Sequence, residues 1–191
     1  IFVEEINNDT YPMYYNEFEN SFMSLEIQCI KKYLQNHNVK HIPVDIEPSQ
    51  NLSFRELDCM FGAFGKYDVY KRIQKQHYAL EDMEGFGYLN SKKCLEVYDE
   101  LKIAEKQAIE FSGIHKNTIL EIYQLFNESH DNRENAMLLN IYNYSKENQY
   151  NEAVFLLSYA NKKSMTQKLQ SQEKKENLKL NWTFYKTSQT N

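Results

Sequence analysis

The chain has no apolar run near the roughly 18 residues that a membrane-crossing helix requires, so no span is expected. Basic residues are in deficit. There are 22 Lys and Arg against 27 Asp and Glu, a net charge of −5, which excludes a general nucleic-acid binder. The short basic runs Lys162–Lys163 and Lys174–Lys175 read as solvated helix faces. Cysteine is scarce: Cys29, Cys59 and Cys94 are odd in number, widely spaced and form no Cys-x-x-Cys pair. That excludes a zinc ribbon or a disulfide framework. Each sits among apolar neighbours and reads as a small core residue. This usage fits a reducing compartment and favours the cytoplasm. Gly-x-Ser-x-Gly, Walker and His-Glu-x-x-His motifs are all missing. Gly85-Phe86-Gly87 is too short and wrongly placed for a phosphate loop and reads as a turn. The Asn-x-Ser/Thr triplets at Asn51, Asn127, Asn143 and Asn181 are chance matches in a chain rich in those residues. A leader is lacking too. The chain opens Ile1-Phe2-Val3 without a Met, so an upstream segment, and any targeting sequence with it, is expected to be missing.

What is present points to alternating strands and helices. "IFVEE" is a brief strand ending in Glu4 and Glu5, and Pro12 with its Tyr neighbours marks a loop. Phe18, Phe22, Leu25, Cys29 and Tyr33 recur at helical steps between Asn16 and Asn36. Val39, Ile42, Val44 and Ile46 form a second strand, placed at a sheet edge or made irregular by Pro43 and stopped by Pro48. Residues 52–146 read as mostly helix. Cys94, Val97, Leu101, Ala104, Ala108 and Phe111 trace one stripe, and Ile119, Ile122 and Phe126 a second. Met137, Ile141 and Tyr144 trace a third, in a separate helix capped by Asp131 or Asn132. "AVFLLSYA" fits a central strand buried on both faces, followed by a helix capped at Ser164 with Met165 and Leu169 facing inward. Leu178, Leu180, Trp182 and Phe184 alternate with polar residues as a strand does, and the tail from Thr187 should fray.

The expected fold class is therefore α/β, with a mainly parallel sheet and a long helical insertion between the second and third strands. It would form one domain over 1–186, followed by a disordered tail at 187–191. Ligands in such folds sit at the carboxyl ends of the strands. Glu4 and Glu5, Asp45 and Glu47, and Ser158 to Lys163 would meet there.

"DNRENAMLLNIYNYS" followed by "AVFLLSYANKKSM" resembles the C-terminal half of the superfamily of TraB/Tiki proteins, erythromycin esterases and ChaN-like haem-uptake proteins. That group shows an Arg-[Asp/Glu]-x-x-Met-x-x-x-Ile helix and then a hydrophobic strand ending in Gly-x-x-His. Its N-terminal half carries a strand ending in a His motif and another ending in Glu. Arg133, Glu134, Met137 and Ile141 match the helix, and Glu4 or Glu5 matches the strand-end carboxylate. Ser158 stands in the glycine position and Asn161 in the histidine position. The chain begins too late to contain the first His motif. The resemblance implies a hydrolase-like pocket, assisted by a divalent metal or by acid–base chemistry, with haem binding in some members. In that pocket Glu4 or Glu5 would supply a catalytic carboxylate. Arg133, Glu134, Ser158, Asn161 and Lys162 would bind substrate, and Lys163 with Lys162 would draw an anion. Asn161 does not titrate and is a poor metal ligand, so proton transfer at the His position would be lost.

Two function classes stand side by side: a diverged hydrolase-like protein of weak or no activity, and a non-catalytic module binding a small molecule, haem or a protein partner. A third alternative is an α/β domain without ancestral link to that superfamily. Arg133 and Glu134 serve equally well as ion-pair residues. His37 and His41 lack the helical spacing of a metal pair. His77, His115 and His130 read as surface or capping residues. The fifteen tyrosines read as packing at the edges of helical stripes.

Overall fold

The computed structural model describes residues 1–6, 25–47, 51–172 and 180–184. The loop at Pro12, the first part of the helix expected from Asn16, Leu178 of the last expected strand and the 187–191 tail lie outside them. Three short parallel strands and six α-helices make up the described regular structure, together with two 3-10 turns. The chain is predominantly helical, so the mainly parallel sheet expected above shrinks to a small three-stranded one. The chain falls into two compact units, Ile1–Pro48 with Asn132–Ser158, and Ser49–Asp131 with Tyr159–Asn191.

The first unit holds β1 (Phe2–Ile6), α1 (Leu25–Asn36), β2 (Ile42–Asp45) and β3 (Phe155–Leu156). The strand order is β2-β1-β3, all parallel. Phe2 pairs with Ile42 and with Phe155, and the β1–β2 register slips between Val3 and Ile6. Pro43 cannot donate to a ladder, and β2 does lie at an edge, as expected. The expectation for "AVFLLSYA" is corrected. Only Phe155 and Leu156 are strand, they are half-buried at the other edge, and Val154 is 56% exposed. The central, buried strand is β1, whose Phe2 and Val3 are almost fully enclosed. A continuous apolar run marks burial, and it cannot say how many neighbours a strand will have.

Alternation along β1 sends its side chains to two faces. Val3 packs with Ile30 and Leu34 of α1. Phe2 meets Tyr144 and Tyr150 edge-on, with ring centroids 5.6 and 6.2 Å apart.

The second unit is built from α2 (Phe54–Phe64), α3 (Asp68–Leu89), α4 (Lys92–Phe111), the start of α5 (Lys116–Glu147) and α6 (Lys162–Gln172). A capping box starts α2. The Ser53 hydroxyl accepts from Glu56 N–H, and the Glu56 carboxylate accepts from Ser53 N–H at 2.7 Å. Ser91 caps α4 through Cys94 N–H. Met60, Phe64, Ile73, Leu101, Ala104 and Ile122 are central to a single apolar core. The α4 stripe is buried as expected from Cys94 to Ala108, and then departs: Ile109 is enclosed and Phe111 is 75% exposed.

Two helix boundaries are corrected. The second and third stripes lie on one continuous 32-residue helix, α5, with no cap at Asp131 or Asn132. No Gly or Pro interrupts that stretch, so nothing in the backbone stops the helix there. α6 begins at Lys162, so Ser164 lies inside the helix, donating its hydroxyl to the Asn161 carbonyl. Met165 and Leu169 are buried as expected. Residues 180–184 form no strand, although their alternation is strict. A period of two needs a neighbouring ladder before it becomes a strand. The cysteine expectation also fails in part, since Cys29 and Cys59 are exposed and only Cys94 is buried. No described helix is long and apolar enough to cross a membrane.

Candidate functional site

In the first unit the carboxyl ends of β1 and β2 meet α5. Glu4 lies two residues after Phe2 and so shares the α5 face of β1, whereas Glu5 falls on the opposite face. Arg133 reaches both strands from α5. Its Nε donates to Asp45 Oδ1 at 3.2 Å and its Nη2 donates to Asp45 Oδ2. Nη2 also lies 3.6 Å from Glu4 Oε1. The other Glu4 oxygen accepts the Ser158 backbone N–H at 2.8 Å. One turn further along α5, Asn140 donates to the Val44 carbonyl at 2.8 Å. Hydrogen bonds to Asp45 hold the Arg133 pKa above its usual value against the opposing effect of burial, so this group is a permanent cation.

Glu4, Arg133 and Ser158 are thus brought together, with Asp45 as the closest partner of the guanidinium. Glu134 is buried on α5. Met137 and Ile141 of the same helix pattern are fully enclosed. Asn161 and Lys162 belong to the second unit. Asn161 is buried in the 3-10 turn Tyr159–Asn161. Lys162 donates to the Asn90 backbone and side-chain oxygens, each at 3.2 Å, and burial lowers its pKa. Lys163 pairs with Asp99 at the surface, so its expected role of drawing an anion to a pocket is replaced by an ion pair.

Asn140 was not singled out by sequence reasoning, although a signal existed. It follows Arg133 by seven residues, so both occupy one helix face. His77 is a second omission and a correction. It is 2% exposed, and its Nδ1 lies 2.8 Å from the Tyr88 hydroxyl. Its spacing from the buried Tyr70 and Ile73 places it on their face. Burial lowers its pKa, with Glu81 opposing. The buried Cys94 thiol, whose pKa burial raises, hydrogen-bonds Tyr88 and feels the Lys162 charge.

A divalent metal at the strand ends does not fit these residues. A guanidinium already occupies the space between Glu4 and Asp45. Among the described residues no three His, Cys, Asp or Glu side chains lie close enough to share an ion.

A groove of about 510 Å³ opens in the second unit between α2 and α4. Tyr67 and Phe111 stack along it with centroids 5.4 Å apart and planes 18° from parallel. In comparisons with known proteins, no family model matches the chain, and neither does any curated sequence or solved structure.

Proposed function

We propose that this chain is a diverged relative of the TraB/Tiki/ChaN/erythromycin-esterase superfamily that works as a non-catalytic binding module for a small molecule. One observation carries the reading: the strand-end carboxylates are already committed. Asp45 receives two guanidinium N–H groups, and Glu4 is shared between Arg133 and the Ser158 N–H. A general base or nucleophile needs lone pairs directed at substrate. Here those lone pairs hold β1, β2 and the end of β3 to α5. The superfamily's Arg-Glu helix would then have kept its place while its chemistry changed to a structural one. Asn161, in the His position, adds no titrating group.

The binding function falls to the helical insertion, where a mostly apolar groove with a few polar groups has the size of an ordinary ligand site. A panel of ester, amide and phosphoester substrates tests the reading against wild type, Glu4→Gln and Glu5→Gln. The expected outcome is equal background rates for all three proteins. Turnover in wild type that disappears with either substitution returns the chain to the hydrolases.

A further inference from the structure

We propose that the α2–α4 groove binds a planar, apolar organic anion, of the class of aromatic carboxylates. This inference rests on the binding-module reading and adds the place and the ligand chemistry. The wall is aromatic. The Phe111 ring is fixed by stacking on Tyr67 yet is 75% exposed, so a flat ligand laid beside it removes apolar surface from water.

The floor is held open by Gly62. This glycine sits in the interior of α2, has an ordinary helical φ, and a Cβ added to it would meet nothing within 4 Å. Neither backbone geometry nor packing in the protein requires a glycine there, and glycine is a poor choice inside a helix. What its missing side chain does provide is volume on the groove side.

Charge completes the argument. Lys66 lies at one end of the groove and His115 also lines it. Among the described residues Lys66 has no ion-pair partner, whereas the other polar end of the α2 face carries Asp58. Eight residues of helix, about 12 Å, separate Asp58 from Lys66. An anionic substituent is therefore directed to the Lys66 end, and the apolar rings lie over Gly62 towards Phe111.

Titration of the full chain with 2-naphthoate and its neutral amide, followed by fluorescence, tests this. Gly62→Leu should weaken naphthoate by about tenfold or more without lowering the thermal midpoint, since leucine is the better helix former. Phe111→Ser, at an exposed position, should weaken both probes and serves if Gly62→Leu does not fold. Lys66→Gln should weaken naphthoate several-fold and leave the amide unchanged. No naphthoate binding to wild type up to about 1 mM overturns the proposal. Affinity unmoved by Gly62→Leu and Phe111→Ser removes this groove while leaving a binding module with its site elsewhere. Only substrate turnover that is lost with Glu4→Gln removes the binding-module reading itself.

Discussion

Arg133 and Asp45 are 88 residues apart in sequence and joined by two hydrogen bonds from one guanidinium to one carboxylate. The Asp45 side chain is only 2% exposed and that of Arg133 23%. Removing the cation strands a buried anion beside a second carboxylate, Glu4. Arg133→Met should therefore destabilise the protein by about 3–5 kcal/mol in urea denaturation. The double variant Arg133→Met/Asp45→Leu should recover most of that loss, because no charge is then left buried. A single-variant cost below about 1 kcal/mol would show that water screens the pair.

His77 sets a pH dependence. Its pKa is lowered in the folded state by burial. The unfolded chain, with an imidazole pKa of about 6.5, thus binds a proton that the folded chain does not. The contribution of neutral His77 is complete above about pH 6.5 and is lost as pH falls from there towards the folded pKa. Its greatest slope is about 1.4 kcal/mol per pH unit. Unfolding free energies of wild type and His77→Gln between pH 7.5 and 5 should diverge in that sense. Parallel curves would remove the assignment.

Gly85 bends α3 so that Tyr88 reaches back to His77. Its φ of +52° and ψ of −131° lie where side-chain-bearing residues rarely go. Gly85→Ala should cost about 1–3 kcal/mol even though an added Cβ meets nothing within 4 Å. The loss should appear in thermal unfolding together with a change in the Tyr88 environment by near-UV dichroism.

The two ends of α2 make a contrasting pair. Ser53→Ala breaks both halves of the capping box and should cost about 1 kcal/mol. Gly62→Ala places a methyl in open space on a helix interior and should stabilise by about 0.5–1 kcal/mol. Guanidinium denaturation of the two variants measures both signs in one experiment.

Much of the helical insertion was legible in the sequence because burial repeats locally. Cys94, Val97, Leu101, Ala104 and Ala108 are spaced as one face, and they are one buried face. Pro43 likewise announced an edge strand, since a missing N–H excludes it from the middle of a sheet. Local pattern was weaker wherever a partner mattered. Trp182 and its alternating neighbours lack a strand because alternation alone supplies no ladder. His77 looked isolated because Tyr88, its partner, reaches it only through the turn at Gly85.

The candidate site divides in the same way. The sequence by itself determined that Arg133, Met137 and Ile141 share a helix region and that Glu4 and Glu5 end a strand. The tertiary structure alone decided that Glu4 and not Glu5 faces Arg133, that Asp45 takes the guanidinium, and that Asn161 and Lys162 belong to the other unit. A hydrophobic period records how much of a side chain is hidden. Which charged group stands opposite another depends on strand register and on the face from which a distant helix packs, and neither is encoded in any short window of residues.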